Sequence, residues 1–221
     1  ADYPNGVIRR IDLVTRAVTT VAGTVGVLGR EIGATPLQSK FNHPYGVEAD
    51  GAGNVFVADT SNHAIRMLSG DWVAGSTSAQ TGSANGAGTS AKFNAPFAVR
   101  ADVAGGMLYV ADAFNNQVRA IALAGGHAVT TQVSLSANVR NIVLNPAARN
   151  MYVAEGSAVV FVTYDGASNP LAGASTNIGF VEGTGGSARV NYVAGMALDA
   201  AAGLLYVADQ GNNRIRRITT A

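Results

Sequence analysis

The sequence contains no cysteine, only one tryptophan and only three histidines in 221 residues. Without cysteine the chain can form no disulfide and no thiolate site, and three histidines are few for a metal centre built from imidazole ligands. Charged residues make up 13% of the chain and the net charge is +1, so no strong overall field attracts nucleic acid or an anionic membrane. Apolar residues reach 48%, but their runs are too short to cross a bilayer, and we expect no membrane insertion.

A short segment is repeated along the chain. The segment Ala58–Arg66, with the sequence ADTSNHAIR, has counterparts in the same register that begin at Ala1, Ala111 and Ala208. A degenerate copy begins at Ala154, and it keeps the spacing but lacks the asparagine and the arginine. The five copies follow one another at steps of 57, 53, 43 and 54 residues, which is typical of a repeat protein.

Runs rich in β-forming residues flank each copy and predict strands. A run such as Asn54–Val57 precedes the segment and a run such as Ile65–Leu68 follows it, so the segment forms the turn of a hairpin between two strands that we call B and C. A strand A precedes each complete hairpin, and a strand D follows most of them. The predicted A strands are Pro44–Asp50, Pro96–Asp102, Val139–Asn145 and Val193–Asp199, and the predicted D strands are Ala17–Gly23, Asp71–Gly75, His127–Leu135 and Pro170–Gly173.

Four antiparallel strands repeated with this period form the blades of a β-propeller. The sequence therefore predicts an all-β fold: a single propeller domain or propeller segment over residues 1–221, with three complete or near-complete blades and a partial blade at each end. The blade units are approximately 1–23 (partial), 41–75, 93–135, 138–173 and 190–221 (partial). The positions predicted to be buried between blades are Val47, Val57, Ile65, Val99, Val110, Val118, Ile142, Val153, Met196, Val207 and Ile215.

The repeat has a recognisable consensus, hydrophobic-Tyr-Val-Ala-Asp-x-x-Asn-His-x-Ile-Arg, preceded by Pro-x-Gly-Val-x-x-Asp-x-x-Gly-Asn. The stretch Pro44–Arg66 matches it almost throughout. This pattern resembles the NHL repeat, and the resemblance covers nearly the whole chain apart from Gly-rich inserts. It implies a β-propeller but no single function, because NHL-like propellers include binding platforms, RNA binders and some enzymes.

Three glycine-bearing inserts connect strand D of one blade to strand A of the next, at Thr24–Lys40, Ser76–Lys92 and Ala174–Arg189. We expect them to lack secondary structure, and loops of that length are usually functional or disordered. In a propeller they emerge on the same side as the B-to-C turns, and we call this side the insert face. The turn aspartates and asparagines are expected to bond nearby backbone N–H groups and so to set the bend. The candidate binding face comprises His43, Asp59, Asn62, His63, Asp112, Asn115, Asp209 and Asn212.

Enzymatic and RNA-binding functions remain as alternatives. NHL-like amidating lyases and lactone hydrolases gather metal ligands from several blades, whereas His43 and His63 are expected on the insert face and His127 on the opposite side. A serine hydrolase is disfavoured because no Gly-x-Ser-x-Gly motif is present. The densest basic positions, Arg9-Arg10 and Arg214-Arg216-Arg217, are expected to solvate an outer strand, which disfavours nucleic acid binding. We therefore expect a non-enzymatic module with no cofactor, no catalytic residue and no metal, which contacts a protein or a glycan.

The two ends of the chain each carry an incomplete blade. Strands C and D are predicted at the N-terminus and strands A, B and C at the C-terminus, and an unpaired strand edge favours pairing with another chain. The sequence predicts either a piece of a longer propeller or a homo-oligomer formed by complementation of the end blades. The candidate assembly strands contain Val7, Ile8, Val18, Val21, Ile215 and Ile218. The low-charge surface, rich in small residues, suits a secreted or extracellular protein.

Overall fold

A computed structural model describes residues 1–220, and its regular structure consists of strands joined by turns, seven of which are short 3₁₀ turns in that part of the chain. No helix within these residues is long and apolar enough to cross a membrane. The strands are β1 (Ile8–Ile11), β2 (Val18–Ala22), β3 (Pro44–Ala49), β4 (Val55–Asp59), β5 (Ala64–Met67), β6 (Trp72–Ala74), β7 (Gly86–Ala87), β8 (Pro96–Asp102), β9 (Met107–Asp112), β10 (Gln117–Ala122), β11 (Ala128–Ser134), β12 (Val139–Asn145), β13 (Asn150–Glu155), β14 (Ala158–Thr163), β15 (Ser168–Gly173), β16 (Val193–Asp199), β17 (Leu204–Asp209) and β18 (Arg214–Thr219).

The strands form five sheets, one after another along the chain. Their orders are β1-β2, β3-β4-β5-β6, β8-β9-β10-β11 with β7 added beside β11, β12-β13-β14-β15, and β16-β17-β18. Consecutive antiparallel sheets of this kind are propeller blades, and the predicted all-β propeller fold is confirmed. The predicted strands agree with the observed ones to within two residues at each end.

The chain divides into two compact units: Ala1–Leu108 with Ile121–Thr130, and Tyr109–Ala120 with Thr131–Ala221. In the first unit, Ile8 and Ala22 of the first sheet form an apolar cluster with Phe41 and Val57 of the second. In the second unit, Tyr152, Ala154 and Val159 of the fourth sheet form a cluster with Val193, Leu205 and Val207 of the fifth. Within each unit, one face of a blade therefore packs on the opposite face of the blade that follows it, and the alternation of side chains along the strands places these two apolar sets.

Most of the predicted core positions are buried, and one is not. The fully buried ones are Val57, Ile65, Val99, Val110, Val118, Ile142, Val153 and Val207. Val47 and Met196 are half-buried. The prediction is wrong for Ile215, which is 73% exposed, because within residues 1–220 its sheet ends at β18 and no further strand or blade covers that side.

The inserts are not structureless, and that expectation is also wrong. Each insert is closed by a backbone hydrogen bond from a glycine near its start to the residue that opens the next blade: Gly29 N–H to Phe41 O, Gly82 N–H to Phe93 O, and Gly179 N–H to Val190 O, at 3.2, 3.2 and 3.3 Å. The first insert contains the 3₁₀ turn Pro36–Gln38, and the second contains β7 and the 3₁₀ turn Gly88–Ser90. These bonds satisfy backbone groups that a free loop would leave to water.

Replacing a buried strand-B valine with alanine tests the assignment of the core. Val57→Ala and Val110→Ala should each lower the free energy of unfolding by about 1–3 kcal/mol, because both side chains are fully buried and the change leaves a cavity. Val14→Ala is the matched control, since Val14 is 91% exposed and should change stability little. Urea denaturation of the three variants makes the measurement, and equal midpoints in all three would contradict the assignment.

Candidate functional site

The B-to-C turn of the second blade contains a buried carboxylate that joins distant parts of the chain. Asp59 has no exposed surface. One of its oxygens, Oδ1, accepts a hydrogen bond from the N–H of Asn42 at 2.7 Å, just before β3. The other, Oδ2, accepts from Asn62 Nδ2 at 2.8 Å and from Arg66 Nη1 at 3.0 Å. The carboxylate therefore ties the turn, strand C and the start of strand A together.

The arginine of strand C connects the carboxylate to the end of the insert and to the C-to-D turn. Arg66 is fully buried, and its guanidinium donates to the carbonyl oxygens of Lys40 at 2.6 Å and Gly70 at 2.7 Å. Its Cζ atom lies 4.8 and 5.0 Å from the ring centroids of Phe41 and Trp72. A planar guanidinium with five donors suits such a site, because it can bond several acceptors and still stack on aromatic rings.

The turn asparagine connects the carboxylate to the insert. Asn62 is buried, and its Nδ2 group donates to Gly29 O at 2.7 Å as well as to Asp59. Gly29 is the glycine whose own N–H closes the first insert onto Phe41. The same side chain therefore fixes the first part of the insert to the blade, 33 residues away in sequence.

The last blade repeats this arrangement. Asp209 accepts from Asn191 N–H at 2.8 Å, from Asn212 Nδ2 and from Arg216 Nη1 at 3.1 Å, and Asn212 also donates to Gly179 O at 2.8 Å. Arg216 donates further to Arg189 O. Arg216 was expected to solvate an outer strand, and that expectation is wrong, because the Asp209 carboxylate draws the guanidinium inward until its side chain is only 9% exposed.

The aspartate, the asparagine three positions later and the arginine seven positions later form a unit that we call the triad. Two other turns contain the triad, one of them buried and one partly exposed. In the third blade, Asp112 accepts from Asn115 Nδ2 at 2.8 Å and from Arg119 Nη1 at 3.0 Å, and the ion pair is fully buried. At the N-terminus the pairing is looser: Arg9 Nη1 lies 3.7 Å from Asp2 Oδ2, and the arginine side chain is 40% exposed. The triad is therefore a common structural unit whose burial follows the completeness of the blade.

The fourth blade shows what replaces the triad when no insert precedes the blade. Glu155 is buried and accepts hydrogen bonds from Ser136 N–H, from the Ser136 hydroxyl and from Ala137 N–H, the last at 2.7 Å. The position of the arginine is taken by Val162, which is fully buried. The longer glutamate side chain holds the short connection directly, and no guanidinium is needed there.

These contacts differ from the expected local role of the turn residues. Asp59, Asp112 and Asp209 precede 3₁₀ turns, but none of them caps its turn through the side chain. The bend is instead set by a left-handed residue after each turn, His63, Asn116 or Asn213, with φ between 54° and 56°. Histidine and asparagine tolerate this region better than most residues. The carboxylates are therefore free to bond across the blade.

Burial dominates the electrostatics of the Asp59 carboxylate. Removal from water raises its pKa, and the hydrogen bonds from Asn62 and Asn42 and the charge of Arg66 act in the opposite direction. A buried carboxylate without these partners would be costly. Removal of Asn62 or Arg66 would therefore leave the buried Asp59 carboxylate one hydrogen-bond partner short.

Both histidines of the predicted binding face are held by the blade. His63 Nδ1 accepts the N–H of Ala95 at 3.0 Å, and partial burial lowers the pKa of this imidazole. The ring of His43 lies 4.7 Å from that of Tyr3, and its Nδ1 is 2.8 Å from Asn42 Oδ1. Within residues 1–220, no three histidine, aspartate or glutamate side chains are grouped closely enough to hold a metal ion.

The first and third inserts expose several large apolar side chains. The first insert exposes five large apolar side chains, those of Val25, Val27, Leu28, Ile32 and Leu37, at 40–59%. The third exposes Ile178, Phe180 and Val181 at 43–59%. Of the predicted binding-face residues, the aspartates are fully buried and hold the inserts in place, while the surface itself is formed by insert side chains. Exposed apolar side chains on inserts that are fixed to the blades form a surface that can bind a partner.

The arginine of the triad was missed by the sequence reasoning, although a signal for it exists. An aspartate is followed seven positions later by an arginine in four of the five copies: Asp2 and Arg9, Asp59 and Arg66, Asp112 and Arg119, Asp209 and Arg216. Among the four copies that follow an earlier blade in the sequence, the one without the arginine is also the one without a preceding insert. Reading the two absences together would have predicted an ion pair that supports the insert.

Removal of the buried arginine tests the importance of the triad. Arg66→Met should lower the free energy of unfolding by about 3–5 kcal/mol, because it leaves the Asp59 carboxylate buried without its cation. Arg9→Met is the matched control, and its loss should stay below about 1 kcal/mol because the Arg9 pair is long and partly exposed. Chemical denaturation compares them, and similar losses would mean that the buried pair contributes no more than the exposed one.

The histidine in the left-handed position should make stability depend on pH. The folded state lowers the pKa of His63, so it favours the neutral ring, and this contribution is present above the ordinary histidine pKa of about 6.5 and is lost as the pH falls below it. His63→Asn should remove this dependence, because asparagine does not titrate in this range. The substitution should also be tolerated, because the equivalent left-handed position is occupied by asparagine in two other blades, Asn116 and Asn213. Thermal unfolding from pH 8 to pH 5 checks it; parallel profiles for both proteins would contradict the prediction.

Comparison with known proteins shows the fold but no family. No protein-family model matches the chain, and no curated protein does. Among solved structures, the chain is similar to one described as a nidogen/laminin complex, with a TM-score of 0.64 and 14% identity over 99% of this chain and 72% of that one. It is also similar to an auxiliary nutrient binding protein from Bacteroides ovatus, with a TM-score of 0.62 and 14% identity over 97% of this chain and 64% of that one. At this identity, the likeness shows the propeller fold alone.

Proposed function

We propose that the chain is a non-enzymatic propeller module of the NHL type that binds a protein partner through the insert face. The observation that carries the proposal is the apolar surface of the first insert, where Val25, Val27, Leu28, Ile32 and Leu37 are all exposed. Contiguous exposed apolar side chains on an otherwise packed domain are typical of interaction sites. The chain contains only 13% charged residues, so apolar contact is the main attraction that this surface offers.

The hydrogen bonds that hold the first insert in one conformation support the same proposal. Asn62 holds Gly29 from the blade side, and Lys40 N–H donates to Glu31 O at 2.9 Å across the insert. Gly23 N–H donates to Pro36 O at 2.9 Å and fixes the start. A surface held in this way loses little conformational entropy when a partner binds, which favours affinity.

Carbohydrate binding is a second candidate, and a separate observation favours it. A row of aromatic rings lies in the first unit: Tyr3 is 6.0 Å from Tyr45, and Tyr45 stacks on Phe97 at 5.0 Å with an interplanar angle of 17°. Tyr3 and Tyr45 are 43% and 52% exposed. Flat exposed rings with a polar edge suit a ligand that is apolar on one face and hydroxylated at its rim.

The two rival classes receive less support from the geometry. RNA binding needs several free basic side chains on a basic surface. Of the two basic clusters, Arg10, Arg214 and Arg217 are exposed, whereas Arg216 is paired with Asp209 and Glu182, and the net charge of the chain is only +1. A metal-dependent lyase or lactonase needs several converging ligands, whereas His63 Nδ1 already accepts a backbone N–H. The solved propellers of similar fold are described as a nidogen/laminin complex and a nutrient binding protein, which is compatible with a binding role.

We infer that the chain also pairs with a second copy through its incomplete end blades, and that it acts outside the cell. Within residues 1–220 the first sheet has two strands and the last has three, and these sheets would be completed either by a second copy or by further residues of a longer chain. Unpaired edges of this kind pair readily with other chains.

Substitutions on the insert face test the binding role. The double variant Ile32→Ser/Leu37→Ser should bind a protein partner at least about tenfold more weakly than the wild-type chain does, because both side chains contribute exposed apolar area. Leu13→Ser is the matched control: Leu13 is 91% exposed but lies in the turn between β1 and β2, away from the insert. Proteins retained by the immobilised chain are compared by quantitative mass spectrometry and then titrated individually.

A glycan array with the same proteins and with Tyr45→Ala separates the two candidates. Glycan binding that is lost in Tyr45→Ala and kept in the insert double variant would replace protein binding by carbohydrate binding. Retention of the same proteins by the wild-type chain and by the insert double variant would refute the assignment of the insert face.

A further inference from the structure

The turn between β1 and β2 exposes two large apolar side chains. Leu13 and Val14 are each 91% exposed, more than any other large apolar residue within residues 1–220. The two residues are adjacent, and they lie at the tip of the C-to-D turn of the first blade. Single apolar residues are common on a protein surface, but two of them together at a projecting tip form an apolar point that a partner can cover.

The backbone of this turn is held in one conformation. Asp12 N–H donates to Ala17 O at 2.9 Å, and Arg16 N–H donates to Asp12 O at 2.8 Å. The carboxylate of Asp12 accepts the N–H groups of Val14 at 3.0 Å and Thr15 at 2.7 Å through Oδ1. A short carboxylate that bonds the next N–H groups of the chain in this way fixes a bend. The two apolar side chains are therefore presented on an ordered tip.

The C-to-D turns of the complete blades are exposed as well, but their residues are polar or small. In the third blade residues 124–126 are exposed, and in the fourth blade residues 165 and 167 are exposed. No large apolar side chain occurs in the turn segments of the second, third and fourth blades, which are Ser69-Gly70-Asp71, Ala124-Gly125-Gly126 and Asp165-Gly166-Ala167. Exposure is therefore a general property of this turn, whereas the apolar tip is particular to the first blade.

The hairpin that carries the tip is fixed at its other end. Ile8 and Ala22 pack with Phe41 and Val57 of the second blade. The first insert begins where β2 ends, at the end of the hairpin that lies away from the turn. The apolar tip and the first insert therefore project from opposite ends of the same pair of strands.

Two arginines flank the tip. Arg10 pairs with Thr19 in the strands at the base of the turn, and Arg16 lies in the turn itself. Both arginines are exposed, and neither forms an ion pair within residues 1–220. The one acidic side chain of the turn, Asp12, bonds the turn backbone. The chain as a whole has a net charge of only +1, so this is a local positive charge beside an apolar point.

The shape of this feature suits a lipid surface better than a protein. A stable protein interface buries roughly 800 Å² on each partner, which is more than two side chains at a convex tip can supply. A lipid surface needs only apolar groups that reach the boundary between headgroups and acyl chains, and basic groups that stay at the level of the phosphates. An apolar tip with arginines at its base meets both conditions.

We propose that the turn between β1 and β2 is a peripheral contact with a bilayer that contains anionic lipids. Leu13 and Val14 enter the headgroup boundary of one leaflet, and the guanidinium groups of Arg10 and Arg16 bond lipid phosphates. Because the tip and the first insert lie at opposite ends of the hairpin, a chain held in this way directs the first insert away from the bilayer. The inference goes beyond the proposed partner binding and does not depend on it.

Co-sedimentation of the full chain with vesicles tests the contact. The chain should bind vesicles of phosphatidylcholine and phosphatidylglycerol at least about tenfold more strongly than vesicles of phosphatidylcholine alone, and salt should weaken this binding. Leu13→Ser/Val14→Ser and Arg10→Gln/Arg16→Gln should each weaken it at least about tenfold. Ile32→Ser/Leu37→Ser is the matched control, since it removes two exposed apolar side chains elsewhere and should leave vesicle binding unchanged. Equal urea midpoints show that all these variants are folded.

A fluorophore at the tip tests whether the apolar side chains enter the bilayer. The chain has no cysteine, so Val14→Cys can be labelled with an environment-sensitive dye at this position alone. The emission should shift to the blue with anionic vesicles, whereas the same dye at Ile32→Cys should not respond.

Three results would overturn the inference: no binding to anionic vesicles, undiminished binding of Leu13→Ser/Val14→Ser, or equal responses of the two dyes. Loss of a retained protein from the Leu13→Ser chain, without vesicle binding by the wild-type chain, would make the turn a protein contact instead. The assignment of the insert face stands or falls separately, because its variant Ile32→Ser/Leu37→Ser is judged by protein retention.

Discussion

The structure depends on a buried carboxylate at the end of strand B. In the second blade, Asp59 joins the start of strand A, the B-to-C turn and strand C, and Arg66 and Asn62 extend this contact to the insert. Two charges removed from water repay their desolvation only when the geometry is good and the remaining donors are bonded. Here Nη1 and Nε of the guanidinium bond the backbone carbonyls of Lys40 at the insert end and of Gly70 in the C-to-D turn, while the buried Nη2 has no hydrogen-bond partner. Order in the insert is therefore a condition for burying the pair, and the pair in turn keeps the insert ordered.

The fourth blade shows that the arginine is absent where the insert is absent. Where no insert precedes the blade, Val162 replaces the arginine and Glu155 bonds the short connection directly. An ion pair buried without insert carbonyls would have left guanidinium donors unbonded, which costs more than an apolar replacement. The presence of the arginine and the presence of the insert thus follow from one physical requirement.

The same requirement links the fold to the proposed functions. An insert that is fixed from below by Asn62 and Arg66 can expose Ile32 and Leu37 without collapsing onto the blade. In the last blade, Arg216 makes the same kind of contacts, to the Asp209 carboxylate and to the carbonyl of Arg189 at the insert end. One repeat unit therefore fixes the insert to the blade in both places.

The sequence by itself determined the class of fold, the order of the strands and most of the core, because a period of two in the strands and a repeated turn segment are local signals. Val57 and Val110 could be placed inside from that pattern alone. It did not determine the role of Arg66, since a charged residue on a strand is ordinarily solvated, and only the tertiary structure brings Asp59 and the carbonyl of Lys40 to it. It also misplaced Ile215, whose pattern is that of a core residue, because burial depends on a neighbouring strand and not on the residue itself. The tertiary structure decided which apolar positions are covered, and therefore where this chain has surface left to bind.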